Sequence, residues 1–192
     1  MPRFFFNKKI SNKFLEKKWK EIFPVMPEYP WKFLHDFLLW KNPSSSFLIP
    51  LRHWKKDINW QIDINKSLLN TDSSIKFSVE EIIDAEKKLT EMGFDPKRPT
   101  VCFHVRDSLF HPNPIYNLNK PGPRDSPICI FEPAMNFMVT EGYNVFRVGR
   151  KMSTPLSKGA MGVIDYAFNE FQSDMLDIYL MYKSEFIVGT LS

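Results

Sequence analysis

Four short apolar segments of this chain are each followed by polar, charged or small residues that can bind an anion. These residues are His104, Arg106, Asp107 and Ser108 at the first segment, Arg147 and Gly149 at the second, Asp165 and Tyr166 at the third, and Gly189, Thr190 and Ser192 at the fourth. Arg124 and Ser126 lie in the loop after the first segment. Arginine donates two parallel hydrogen bonds to phosphate, and a serine at a helix start adds free N–H groups. The residue types therefore favour a phosphate-bearing ligand.

The four apolar segments predict the strands of an α/β domain. They span residues 100–105, 143–148, 162–167 and 185–189, and helices are predicted at 78–92, 126–141 and 173–183. The order strand, helix, strand, strand, helix, strand with short turns is typical of a parallel, Rossmann-like sheet with helices on both faces. Ligands bind such sheets at the carboxyl ends of the strands. We therefore expect the residues named above to meet along one edge of the sheet.

Sequence signals at the helix ends support these boundaries. Ser78 and Glu81 form a capping-box pattern, and Gly93 and Gly142 are placed to end their helices. Ser126 followed by Pro127 predicts an N-cap with proline at the first helical position. The inner face of that helix is predicted to consist of Ile130, Phe131, Ala134, Met135, Met138 and Val139.

Each site residue also has a structural interpretation. A single histidine in an apolar strand, such as His104, is more often a hydrogen-bonded core residue than a catalyst. Arg106 and Asp107 can form a surface ion pair, and 124–126 can serve only to cap a helix. Asp165 is harder to explain, because a carboxylate within an apolar strand needs a partner. The case for a site rests on the expected convergence of these residues at one edge.

Several other kinds of site are not supported by the sequence. No GxGxxG follows the first strand and no GKS/T is present, which argues against dinucleotide and Walker-type sites. The two cysteines, Cys102 and Cys129, have no metal-ligand neighbours, and we expect both to be buried and reduced. No apolar run reaches 18 residues, so no transmembrane helix is predicted. No metal site and no nucleic-acid-binding motif is predicted.

Residues 1–75 differ in character from residues 76–192. The first 60 residues carry 12 Lys and Arg against 5 Asp and Glu, within a chain of 192 residues and net charge +4. Helices are predicted at 12–23 and 31–40, with a strand at 47–51. Such a basic, aromatic-rich segment can contact an anionic membrane or an acidic partner, or can be a solvated face. It is interpreted as the last part of an amino-terminal domain, and the chain is expected to be a fragment of a longer protein.

Several motifs resemble known glycosyltransferases. His104-Val-Arg106 resembles the His-x-Arg motif of GT-B fucosyltransferases. A bacterial glycosyltransferase family associated with surface-polysaccharide and O-antigen genes is similar over residues 75–192. The motifs that carry this similarity, in order, are HVRDS at 104–108, RDS at 124–126, GYNVFRVG at 142–149, IDYA at 164–167, SDMLDIYL at 173–180 and FIVGT at 186–190.

The resemblance implies a GT-B enzyme with two Rossmann-like domains, of which the second binds a nucleotide-sugar donor without an obligatory metal or other cofactor. It implies that Arg106 is catalytic, holding the donor diphosphate and stabilising the leaving nucleotide, and that His104 supports it. Asp165, Tyr166 and the turn from Thr190 to Ser192 match positions around the base and phosphates. The other residues named at the outset are expected to bind the donor as well.

The function expected from the sequence is transfer of a sugar from a nucleotide diphosphate to a glycan or lipid-linked acceptor. The expected location is the cytoplasm, with peripheral contact at the inner face of the membrane left open. One alternative is a non-catalytic α/β nucleotide- or phosphate-binding protein. Another is a different phosphate-handling enzyme, such as a pyruvyltransferase or a sugar-phosphate isomerase.

Overall fold

The computed structural model describes residues 10–23, 28–41, 73–107, 109, 125–150 and 152–190. The chain divides into two compact units, residues 1–76 and 77–192. This division lies one residue from the boundary expected between 75 and 76. The strand expected at 47–51 lies outside the described residues. None of the helices in the described ranges is long and apolar enough to cross a membrane.

The first unit contains two helices, α1 (Lys13–Ile22) and α2 (Glu28–Lys41). Asn12 caps α1 by accepting a hydrogen bond from the N–H of Leu15. The helix expected at 31–40 begins earlier than predicted, because Pro30 lies in the first turn of α2, where a missing N–H costs nothing. The described part of α2 exposes five large apolar side chains, namely Phe33, Leu34, Phe37, Leu38 and Trp40.

The second unit is the predicted α/β domain. It begins with α3 (Val79–Glu91), whose Ser78 and Glu81 form the capping box that the sequence predicted. The remaining elements are β1 (Thr100–His104), α4 (Glu132–Thr140), β2 (Asn144–Val148), β3 (Val163–Asp165), α5 (Asp174–Lys183) and β4 (Phe186–Gly189). β3 is shorter than predicted, because Tyr166–Phe168 form a 3₁₀ turn. Ser173 caps α5, as expected from the sequence.

All four strands form one parallel sheet in the order β3-β2-β1-β4, which confirms the parallel α/β prediction. Alternate side chains of the central strands point to opposite faces of the sheet. Cys102 and Phe146 pack against α3 and α5, through residues such as Leu89 and Leu180. Val101, Phe103 and Val145 pack on the opposite face with Met135 of α4. Helices therefore cover both faces.

The start of α4 differs from the prediction. Ile128–Ile130 form a 3₁₀ turn, and neither this turn nor α4 has a side-chain cap. Because a 3₁₀ turn has three residues per turn, it does not continue the buried stripe of the α-helix. Ile130 and Cys129 are consequently exposed, contrary to expectation, as is Ala134. Phe131, Met135, Met138 and Val139 do lie against the sheet.

Candidate functional site

The carboxyl ends of β1 and β4 form the topological switch point of the sheet. The chain adds β2 and β3 on one side of β1 and then returns to add β4 on the other side. Open parallel sheets bind ligands in the crevice outside the strands at such a point, because the connections diverge there. Four predicted site residues lie here, namely His104, Arg106, Gly189 and Thr190.

Gly189 and Thr190 attach the end of β4 tightly to β1. The N–H of Thr190 donates to the carbonyl of His104 at 3.1 Å, and the Thr190 hydroxyl accepts from the N–H of Arg106 at 2.9 Å. A Cβ atom on Gly189 would lie only 2.6 Å from the His104 carbonyl oxygen. Glycine is therefore required sterically for this close approach.

Arg106 is held at the switch point by its backbone and by one carboxylate. Its carbonyl accepts a hydrogen bond of 3.2 Å from the N–H of Ser126. Its Nε lies 3.3 Å from Oδ1 of Asp125 but makes no hydrogen bond to any described residue. The side chain is 15% exposed. Arg106 is thus ion-paired with Asp125 rather than with the adjacent Asp107.

His104 lies beside Arg106 at the end of β1. The side chain is half-buried, and burial lowers its pKa below the ordinary value of 6.5. The imidazole is therefore neutral at pH 7, with one donor and one acceptor nitrogen. His104 can donate one hydrogen bond to a ligand but adds no positive charge to the site.

A cavity of about 390 Å³ adjoins the switch point on the α4 side of the sheet. Its volume lies within the range of small-molecule sites, roughly 300–1,000 Å³. It is lined by Val105, Asp107, Asp125, Ser126, Pro127, Ile128, Cys129, Glu132, Arg147, Ser153, Thr154, Pro155 and Ser157. Three of the predicted site residues, Asp107, Ser126 and Arg147, therefore share one cavity.

Arg147 is the most deeply buried charged residue of the cavity, with 1% of its surface exposed. One guanidinium nitrogen donates to Oδ1 of Asp165 at 3.1 Å, and the guanidinium carbon lies 5.3 Å from the ring centroid of Phe168. Its Nε has no hydrogen-bond partner among the described residues. The other oxygen of Asp165 accepts from the N–H of Leu156 at 2.9 Å. Arg147 is therefore the partner that the sequence required for Asp165.

Two carboxylates of the cavity hold the segment 153–157 in place. Asp107 accepts from both the N–H and the hydroxyl of Ser153, and Glu132 accepts in the same way from Ser157. Burial raises the pKa of Asp107, but hydrogen bonds from Leu109 and Ser153, together with the charge of Arg147, outweigh this and lower it. The hydrogen bonds from Ser157 lower the pKa of Glu132. Both carboxylates are therefore ionised at neutral pH.

Gly149 and Tyr166 lie near the start of α5. Gly149 has φ of +147°, and its carbonyl accepts from the side chain of Gln172 at 2.6 Å. Tyr166 is fully buried, and its hydroxyl donates to Asp177 and accepts from the N–H of Ser173. In this structure both residues position the start of α5. Arg150, which pairs with Asp174, holds the same region.

The predicted site residues thus fall into three groups rather than one. The first lies at the switch point, the second in or beside the cavity, and the third near the start of α5. In the same order, the groups are His104, Arg106, Gly189 and Thr190, then Asp107, Ser126, Arg147 and Asp165, and then Gly149 and Tyr166. Ser126 is present at the site, but as a backbone donor to Arg106 and not as the predicted helix cap. Ser108, Arg124 and Ser192 lie outside the described residues. The sequence did not identify Glu132, Ser153 and Ser157 as cavity residues. Glu132 bonds to Ser157, 25 positions away, and Ser153 bonds to Asp107, 46 positions away, and contacts over such distances leave no local pattern.

Comparisons of the chain with protein-family models, with curated proteins and with solved structures give no match. Among the residues described, no group of three or more His, Cys, Asp or Glu side chains is arranged to hold a metal ion. The function of the site therefore has to be inferred from its own chemistry.

Proposed function

We propose that residues 77–192 form the nucleotide-sugar-binding domain of a GT-B-like glycosyltransferase, acting on a glycan or lipid-linked acceptor in surface-polysaccharide synthesis. The observation that carries this proposal is the position of Arg106 at the topological switch point, with its backbone held by Thr190 on one side and Ser126 on the other. The His104-x-Arg106 motif resembles that of GT-B fucosyltransferases, which supports the same role.

The proposed chemistry depends on stabilising the departing nucleotide. The bond between the anomeric carbon and the phosphate oxygen breaks, and the diphosphate oxygen leaves with the electron pair and the negative charge. The oxygen of an acceptor hydroxyl forms the new bond at that carbon, and its proton passes to solvent water. Arg106 stabilises this charge, and neutral His104 donates a hydrogen bond. Donors that are oriented before the reaction contribute most to such catalysis. The diphosphate competes with Asp125, which carries a smaller charge, for the guanidinium.

The first prediction concerns Arg106. Titration calorimetry of the chain with GDP, UDP and dTDP should reveal binding of at least one of them. We expect Arg106→Ala to weaken that binding about 10-fold to 100-fold, because a hydrogen bond to a charged group contributes roughly 1.5–3 kcal/mol. With the corresponding nucleotide sugar and an acceptor, release of the nucleoside diphosphate should fall at least as much.

Arg98→Ala is the matched control. Arg98 also lies 3.3 Å from an aspartate, Asp95, but it precedes β1 and so lies at the opposite edge of the sheet. Its substitution should leave nucleotide binding unchanged. The proposal is wrong if no nucleotide binds, or if the two substitutions have equal effects. Nucleotide binding without turnover of any donor would instead favour a non-catalytic binding protein.

A further inference from the structure

The charge balance of the α4-side cavity is unfavourable for a phosphate group. Among the described residues that line the cavity, Asp107, Asp125 and Glu132 are acidic and Arg147 is basic. Arg147 is already paired with Asp165, and Arg106 is paired with Asp125. Among the described residues, a diphosphate placed here would meet more carboxylates than cations, and like charges at short range disfavour its binding.

The same cavity nevertheless has unused hydrogen-bonding capacity. The buried Nε of Arg147 has no acceptor among the described residues, and a buried charged donor is normally satisfied. A carboxylate can accept about four hydrogen bonds. Glu132 accepts two, both from Ser157, so it retains acceptor sites. The cavity therefore suits a ligand that carries both hydrogen-bond donors and neutral oxygen acceptors.

We propose that this cavity binds the neutral, hydroxyl-bearing sugar of the donor, which extends the proposed function and rests on it. Sugar hydroxyls donate to Glu132, and a sugar oxygen accepts from Nε of Arg147. The apolar walls at Val105 and Ile128 pack against the C–H groups of the ring. Asp125 borders the cavity and pairs with Arg106, so the sugar lies next to the diphosphate at the switch point.

This arrangement selects neutral sugars over acidic ones. A hexuronate carries a carboxylate that would enter beside Asp107 and Glu132, both of which are ionised at neutral pH. Like charges at short range disfavour binding. A neutral hexose has no such penalty and gains the hydrogen bonds described above.

The test compares each nucleoside diphosphate with its sugar conjugates by titration calorimetry. The probes are UDP with UDP-glucose and UDP-glucuronate, GDP with GDP-mannose, and dTDP with dTDP-glucose. We expect the neutral hexose to increase affinity over the diphosphate alone by about tenfold, and glucuronate to give no increase. Glu132→Gln should abolish the increase for the hexose and leave the affinity for the diphosphate within twofold.

Glu141→Gln is the control, since Glu141 is exposed and caps the opposite end of α4. Thermal unfolding should show that both variants are folded. Equal weakening of the diphosphate and its hexose conjugate by Glu132→Gln would overturn the proposal, because the cavity would then hold the nucleotide itself. The proposal would also be overturned if Glu132→Gln left the gain in affinity from the hexose unchanged.

Cys129 provides a readout that does not depend on nucleotide binding. It is exposed and lines the cavity, so a ligand there should slow its alkylation by iodoacetamide. If no nucleotide binds, millimolar free glucose and mannose should still protect Cys129 in the wild type and not in Glu132→Gln. Absence of protection by either hexose in that case would refute the cavity assignment separately from the proposed function.

Discussion

At the scale of single residues, the ion pair between Arg147 and Asp165 matters for both the stability of the sheet and the position of the cavity wall. The Arg147 side chain is almost wholly buried, whereas that of Asp165 retains 20% exposure. A buried charge is tolerated only when it is paired and hydrogen-bonded, and removing one partner leaves the other uncompensated. The pair joins β2 to β3, and Asp165 also holds the backbone of Leu156 beside the cavity.

We predict that Arg147→Met lowers the free energy of unfolding by about 3 kcal/mol, because it leaves the carboxylate of Asp165 without its cation. Adding Asp165→Leu should recover a substantial part of this loss. Urea unfolding of the two single variants and the double variant forms a complete cycle. Strictly additive effects of the two substitutions would show that the pair contributes no coupling.

His104 and Arg106 show which site residues a local sequence pattern can identify. His104 and Arg106 were expected at the site because they follow an apolar run, and they do lie at the end of β1. The sequence suggested an ion pair between Arg106 and the adjacent Asp107, whereas the structure pairs Arg106 with Asp125. Asp125 is brought to Arg106 because the N–H of its chain neighbour Ser126 donates to the carbonyl of Arg106.

At the scale of secondary-structure elements, the contact between β1 and β4 determines the shape of the switch point. β4 pairs with β1 from Val101–Phe186 to His104–Gly189. The final pair is close enough that only hydrogen fits in place of a side chain at Gly189. The hydroxyl of Thr190 can reach the N–H of Arg106 because the two strands approach so closely there.

We predict that Gly189→Ala destabilises the domain by about 1–3 kcal/mol, because the methyl group forces the ends of β1 and β4 apart. Nucleotide binding should weaken at the same time, since the backbone of Arg106 shifts. Urea unfolding and calorimetry measure the two effects. Gly159→Ala is the control, because a Cβ there meets nothing nearer than 3.4 Å. Equal stabilities of the two variants would contradict the predicted clash.

The start of α4 shows how an element can be predicted for the wrong reason. Ser126 followed by Pro127 does mark the entry to a helical segment, but no side chain caps it. The N–H of Ser126 donates instead to the carbonyl of Arg106, just after β1, and Glu132 of α4 accepts hydrogen bonds from Ser157 in the segment after β2. Tertiary hydrogen bonds thus replaced the local capping that the sequence pattern favoured.

At the scale of the whole molecule, the chain consists of two units with different surfaces. The first unit exposes Lys13, Lys17 and Lys20 on α1 and large apolar side chains on α2, of which Trp40 is 77% exposed. Basic and aromatic side chains together favour adsorption to anionic membranes. We propose that any membrane contact belongs to residues 1–76, and that ligand binding belongs to residues 77–192.

We predict that residues 77–192 produced alone unfold cooperatively and bind nucleotides as tightly as the full chain does, because both hydrophobic clusters of the sheet lie within this unit. The full chain, but not the shorter one, should cosediment with phosphatidylglycerol vesicles. Vesicles of phosphatidylcholine alone serve as the control. Cosedimentation of both chains, or of neither, would contradict the membrane proposal. Loss of folding in the shorter chain would contradict the independence of the unit.

The elements with strong local signals could be predicted from the sequence alone. α3, α5 and the central strands β1 and β2 have their boundaries within a residue or two of those expected, since capping residues and apolar runs encode them directly. Their alternation with helices also determined that the sheet is parallel, because parallel strands require crossover connections. The edge at which polar residues collect follows from that parallel order.

Only the tertiary structure decided which of those polar residues lie at the switch point and which lie in the cavity. Side chains at one edge can point to either face of a sheet, and the pleat sends Arg147 into the cavity beside α4 while Arg106 lies at the switch point. It also decided which carboxylate neutralises which arginine, since these pairs join distant parts of the chain. Local patterns encode the position of a residue along a strand. The partner of a charged side chain depends on distances that exist only after the chain has folded.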